Sequence, residues 1–144
     1  NKNDILDYIF KYELEKRLEK LHKMNELNLN FWEKLNRFLK FHFAEIKDNI
    51  SLGKILVREK EFPKKDGSDS INKYLTMIPV ILNDQIKEAI NNGEINKEYN
   101  SEMVANIIFG AIQGIVEKAI HNEDKKMLDN APEELIRLLK NGLF

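Results

Sequence analysis

Residues 103–120 read MVANIIFGAIQGIVEKAI. A helix drawn through this stretch is apolar nearly all round. Such a helix belongs at the centre of a fold or clamped between two surfaces, so the rest of the chain is expected to wrap it. Asn100 is placed to cap its start, and the helix is expected to reach about His121. Charge beyond Val116 argues against a membrane span. Gly110, Ala111 and Gly114 point to close approach of another helix.

Upstream, the pattern predicts a long helix from about Asp69 to Asn92. Its stripe is Ile71, Leu75, Ile78, Leu82, Ile86 and Ala89, at helical spacing. Gly93 is suited to close it in the left-handed region. Pro79 sits mid-helix, lacks the N–H that the Leu75 carbonyl would accept, and is expected to kink it. Downstream, NAPEE (130–134) reads as a helix start, with Asn130 as cap, Pro132 in the first turn and Glu133 at the third position. Leu135, Ile136, Leu138 and Leu139 follow, and Gly142 ends the run.

Three further helices are expected nearer the beginning. The first runs from about Lys2 to Met24, with Asn1 as cap. Its stripe is Leu6, Phe10, Leu14, Leu18 and Leu21, and Glu13–Arg17 and Glu19–Lys23 are read as i,i+4 pairs on the wet side. Ile5, Tyr8, Ile9 and Tyr12 make a second apolar face on its first turns. The second runs from about Leu29 to Lys47, with Trp32, Leu35, Phe38, Leu39, His42, Phe43 and Ile46 on one broad face and Phe41 among the charges opposite. A short third spans about Ser51 to Lys60. The segment FPKKDGSD (62–69), with Pro63 and Gly67, breaks the helical run.

The 144 residues are one domain's worth, 42% hydrophobic and 33% charged, with only 6 Gly and 3 Pro. Few turns and no bounded strand pattern predict an all-α bundle of about six helices. The net charge of -1 gives no electrostatic footprint for nucleic acid. No Cys is present, so disulfides and Cys-ligated metals are excluded. His22, His42 and His121 lie far apart, and none has a metal partner at helical spacing. Phosphate-binding glycine loops, dinucleotide fingerprints and nucleophile elbows are absent. The expectation is therefore no enzyme, no cofactor and no metal, with a cytoplasmic setting as the default.

Two polar residues on apolar faces are informative. His42 lies between Phe38 and Ile46, either as a core histidine with one hydrogen-bond partner or as a polar contact for a ligand. Gln113, in the most apolar helix, needs a partner of some kind: a carbonyl, a water or a ligand.

Three stretches carry a resemblance. NKNDILDYIF (1–10), IKEAINNGEINKEYNSEMVANIIFGAIQGIVEKAI (86–120) and APEELIRLLKNGLF (131–144) resemble, in order, the C-terminal part of TetR-family transcriptional regulators. The likeness extends to the fatty-acid-responsive, acyl-CoA-binding subgroup. It implies a ligand-sensing and dimerisation domain over residues 1–144. The last two helices would pair with those of a second copy in a four-helix bundle. DNA would be read only through a helix-turn-helix part that should precede Asn1, so no DNA-contacting residue is assigned here. The implied effector is a lipophilic small molecule, whether fatty acid, acyl-CoA or hydrophobic drug, and its binding would release DNA.

On helix face and side-chain type, the pocket candidates are Trp32, Leu35, Phe38, His42, Phe43, Leu56, Tyr74, Ile78, Ile81, Phe109 and Gln113. The interface candidates are Ile112, Val116, Ile120, Leu135, Ile136 and Leu139. Lys54, Arg58, Lys60, Lys64 and Lys65 lie near one another without forming a dense cluster for a CoA phosphate. The alternative is a helical adaptor that binds a protein partner through Ile5, Tyr8, Ile9 and Tyr12, with no small-molecule ligand.

Overall fold

The computed structural model describes residues 2–61 and 69–143. The helices are α1 (Lys2–Asn25), α2 (Phe31–Asp48), α3 (Ile50–Glu61), α4 (Asp69–Asn91), α5 (Ser101–His121) and α6 (Lys125–Leu143). Among the described residues there is no strand, and the chain is the expected all-α bundle. The cap expected of Asn1 and the break around Pro63 and Gly67 fall outside the described residues.

The centre is α5, packed against α4, α3 and α6. Val104, Ala105, Ile108, Ile112, Val116 and Ala119 are buried along it. Contrary to the sequence expectation, α5 is long and apolar enough to cross a membrane. In this fold Val104, Ala105, Ile108, Ile112, Val116, Ala119 and Ile120 of that helix are buried in the core of the bundle, while Met103 and Ile107 stay exposed. On the other side of the bundle α1 lies on α4 and α2, and α2 lies on α6.

Local chemistry sets the helix ends. Asn30 and Glu33 form a reciprocal capping box at the start of α2: the Asn30 side chain accepts from Glu33 N–H at 2.9 Å, and Glu33 accepts from Asn30 N–H at 3.1 Å. This moves the start two residues past the expected Leu29. Gly93, at φ 76°, closes α4. Glu94 N–H reaches the Ala89 carbonyl at 2.8 Å and Gly93 N–H the Ile90 carbonyl at 3.1 Å, a paired 6→1 and 5→2 arrangement with Ile95 buried behind it. Asn100 caps α5 by accepting from Met103 N–H at 2.9 Å. Between these ends, Glu94 also accepts from Phe31 N–H at 3.0 Å, tying the α4–α5 link to the start of α2.

Three expectations are corrected. First, α6 does not begin at Asn130. Asp124 accepts from Met127 N–H at 3.2 Å and starts the helix at Lys125, so Pro132 and Glu133 lie well inside it. The earlier start brings Leu128 and Ala131 into the core with Leu135 and Leu139. Lys47 of α2 bridges to Asp129 on the added turn at 2.9 Å. Second, a Cβ at Gly110 or Gly114 would meet nothing of this chain within 4 Å, so the other helix expected to approach them is not one of the chain's own. The close approach is at Gly53 of α3, where a Cβ would run into Ile120 Cδ1 and stand 3.1 Å from Ile46 Cγ2. Third, Glu13 and Arg17 are not on the wet side. Arg17 is fully buried and Glu13 is 5% exposed. Glu19 and Lys23 are exposed as expected.

Candidate ligand site

Leu6, Phe10, Glu13, Leu14, Arg17 and Met24 form the buried face of α1. Phe10, with no exposure, contributes about 2 kcal/mol by burial, which helps hold an ion pair inside. Arg17 Nη1 donates to Glu13 Oε2 at 2.6 Å and to the Glu13 carbonyl at 3.1 Å. Its Nε donates to His42 Nδ1 of α2 at 3.1 Å. Its Nη2 is buried without an acceptor among the described residues. Lys16, part-exposed, bridges Glu13 at 3.1 Å and Glu45 at 2.7 Å, carrying the network to the surface.

Arg17 sits between aromatic rings. Its Cζ lies 5.4 Å from the Tyr74 ring and 5.8 Å from the Phe41 ring. Phe41, expected to be half-exposed or in contact with a partner, is half-buried here, with Lys20 5.6 Å from its ring. His42 stacks on Phe38 at 6.0 Å. Because Nδ1 accepts from Arg17, the neutral imidazole carries its proton on Nε2. Burial, reinforced by the Arg17 charge, pushes the His42 pKa well below 6.5. Burial also pushes the Tyr74 hydroxyl up to about 12, so it stays a protonated donor.

Two adjoining cavities lie between the helices. The first, of about 10 Å³, is lined by Phe38, His42, Leu56, Tyr74, Ile78, Phe109, Ile112 and Gln113. The second, of about 20 Å³, is lined by Leu21, Phe31, Lys34, Leu35, Phe38, Ile78, Ile81, Leu82 and Gln85. Phe38 and Ile78 are common to both and form the wall between them. Pro79 lines neither, although its neighbour Ile78 lines both.

The fold thus brings Phe38, His42, Leu56, Tyr74, Ile78, Phe109 and Gln113 around one cavity and Leu35 and Ile81 around the next. Trp32 and Phe43 are buried but line neither: Trp32 packs edge-on to Phe31, and Phe43 edge-on to His42. Ile112, expected at an interface, faces the first cavity instead. Val116, Ile120, Leu135 and Leu139 are buried in the chain's own core, and Ile136 is half-buried against it. Of the basic residues weighed for a phosphate, Lys54 is exposed and Arg58 pairs with Glu59 at 3.6 Å. Lys64, Lys65 and the Lys60 side chain fall outside the described residues.

Sequence reasoning missed Arg17 and Glu13. A signal was present: Phe10, Glu13, Arg17, Leu21 and Met24 follow one another at spacings of three and four, so the pair lies on the apolar stripe.

Comparison with known proteins shows what the chain is similar to. Residues 10–142 match the profile of a TetR C-terminal family described as YsiA-like protein, C-terminal region. The chain is 25% identical over 143 residues to the fatty acid metabolism regulator protein of Bacillus subtilis, covering 99% of this chain and 74% of that protein. Its fold superposes on the fatty acid degradation regulator FadR of Bacillus halodurans with a TM-score of 0.87 at 21% identity, over 100% of this chain and 77% of the other. It superposes on the transcriptional regulator FadR of Bacillus subtilis, solved in complex with stearoyl-CoA, with a TM-score of 0.86 at 25% identity and the same coverage.

Proposed function

The chain belongs to the YsiA-like C-terminal family of TetR regulators, and from that premise we propose that it senses a long-chain acyl group for a one-component repressor. The observation that carries this reading is the apolar cavity pair, with His42, Tyr74 and Gln113 lining the first cavity and Arg17 held against His42 and the Tyr74 ring. The stearoyl-CoA complex of the 25% identical FadR supports it. A long acyl chain matches walls of Phe, Leu and Ile, and the polar cluster supplies the few oriented donors that such a site needs.

The cavities, at about 10 and 20 Å³, take roughly one water each. An acyl chain therefore has to part Phe38 from Ile78, and with them α2 from α4. Helix α1 lies across both, and its buried Arg17 is bound to His42 of α2. Ligand entry therefore displaces α1. In the intact regulator α1 is the lever to the DNA-reading unit, whose half-site spacing must match about one turn of DNA. Release of DNA follows if the ligand favours the displaced arrangement by about 5 kcal/mol. The exposed Ile5, Tyr8 and Tyr12 on its first turns suit contact with that unit. This use of the face replaces the adaptor alternative.

Dimerisation is assigned to the outer face of α5 and α6. Met103 and Ile107 stand exposed in line with Gly110 and Gly114, and Leu138 is 72% exposed on α6. A groove of about 840 Å³, lined in part by Ile115, Met127, Ala131 and Leu138, adjoins this stripe. A self-complementary face of this kind makes a two-fold pair. Titration of the chain with stearoyl-CoA tests the sensing role. At a hundredfold excess over Kd the ligand should add about 2.7 kcal/mol of stability. No heat and no thermal shift with stearoyl-CoA or stearate would refute it.

A further inference from the structure

We propose that Asp7 is the residue that couples the cavities to the first turns of α1, by holding the first half of α4 (residues 69–78), which bends about Pro79 when a ligand presses on Ile78. This rests on the acyl reading of the cavities and adds to it the contact through which their filling reaches α1.

Helix α4 is weakest at its middle. Pro79 has no N–H to give the Leu75 carbonyl, and its ring crowds that turn. Just before it, the Thr76 hydroxyl donates to the Asn72 carbonyl at 2.9 Å and to the Lys73 carbonyl at 3.3 Å, a pattern that bends helices. Ile78, next to Pro79, is in the wall shared by both cavities. A chain that parts Ile78 from Phe38 therefore presses on α4 where its own hydrogen bonds resist least.

The two halves of α4 are fastened to different places. Past the end of the second half, Glu94 accepts from Phe31 N–H of α2 at 3.0 Å. Within that half, Gln85 donates to Asn25, the last residue of α1, at 3.4 Å. The first half is fastened to the opposite end of α1. There Asp7 Oδ1 accepts from Ser70 N–H at 3.2 Å, across 63 residues of chain. Ser70 N–H is one of the first-turn donors that a helix cannot satisfy by itself, and the positive end of α4 favours a carboxylate. One turn along α1, Phe10 packs edge-on to Tyr74 with ring centres 5.8 Å apart, and Tyr74 lines the first cavity. The ties at Asp7 and Asn25 thus lie on either side of Pro79. When α4 bends there, the first turns of α1 follow Ser70 while its last turn stays with Gln85.

The chain has no Cys, so spin labels can be placed by Tyr8→Cys or Lys23→Cys, each paired with Lys118→Cys on α5. All three positions are exposed. The distances are read by pulsed electron resonance on labelled chain diluted with unlabelled chain. Saturating stearoyl-CoA should change the Tyr8–Lys118 distance by about 2 Å or more, the scale of a helix shift, and the Lys23–Lys118 distance by less. Asp7→Ala should abolish most of that change while Kd for stearoyl-CoA stays within about threefold. Asp7→Asn keeps an oxygen for Ser70 N–H and should keep the change. Pro79→Ala restores the missing helix bond and should reduce it. A merely structural Asp7 would lower stability and leave the ligand-induced change as it was. An unmoved Tyr8 label at saturation, with Asp7 and Pro79 in place, would overturn the proposal while leaving acyl sensing intact, and needs neither variant to fold. A full change in Asp7→Ala would overturn it as well. No binding of stearoyl-CoA would remove the acyl reading together with the proposal.

Discussion

Arg17 and Lys23 each follow a glutamate by four residues on the same helix, yet their pairs differ in kind. The Glu19–Lys23 side chains are 65% and 68% exposed, so Glu19→Ala should change stability by less than about 0.5 kcal/mol. Glu13→Ala strands a buried guanidinium and should cost about 3–5 kcal/mol. Urea denaturation of the two variants checks the contrast, and similar losses would contradict the buried network. His42 adds a pH dependence. Its folded pKa is depressed by burial and the Arg17 charge, so below pH 6.5 the unfolded chain takes up a proton that the folded chain refuses. Stability is then lost as pH falls from 6.5, by up to about 1.4 kcal/mol per pH unit. His42→Gln keeps an acceptor for Arg17 and cannot titrate, so its stability should vary less across that range; an unchanged slope would show that His42 is not the group responsible. The stripe that buries Arg17 was legible in the spacing. The wet reading prevailed because an i,i+4 ion pair looks the same in sequence whether it faces water or core.

At the scale of elements, the α5–α6 junction shows what local pattern can and cannot disclose. NAPEE satisfies the rules for a helix start, but so does Asp124 six residues earlier, and the earlier start buries more. Glu123 closes α5 in the left-handed region, at φ 52°. Asp124 N–H bonds the Ala119 carbonyl at 2.8 Å while its side chain opens α6. One residue thus ends one helix and starts the next. Asp124→Ala should cost about 1 kcal/mol, and Glu123→Gly should gain about 1 kcal/mol by relieving the backbone. Asn130→Ala should leave thermal stability nearly unchanged, the reverse of what the sequence reading implies. At α3, Gly53→Ala should cost about 1–3 kcal/mol, because Ile120 and Ile46 leave no room. This glycine gave no sequence signal, since nothing local shows that another helix crosses it. The start of α5 and the left-handed cap at Gly93, by contrast, were legible to within a residue, because caps are local chemistry.

For the whole molecule, the same limit bears on the proposed interface. That α5 is apolar on too many sides for an outer surface was plain from its sequence. Which of those sides the chain covers itself was not, because that depends on where α3, α4 and α6 land. Ile112, Val116 and Ile120 go to the chain's own core or cavity, leaving Met103, Ile107, Gly110 and Gly114 outside. The two glycines give this assignment a test of sign. In an isolated chain each could take a Cβ into open space. Glycine inside a helix is worse than alanine by about 1 kcal/mol, so Gly110→Ala and Gly114→Ala would then each stabilise. If α5 instead lies against its counterpart in a second copy, the small residues set the closeness of the two helices, and the added methyl groups push them apart. The expected result is therefore a chain that sediments at twice 17.0 kDa, with the double variant dissociating at higher concentration. Stabilisation of the double variant without any change in mass would place the second copy elsewhere, and Leu138→Lys would then distinguish an α6 contact from no dimer at all.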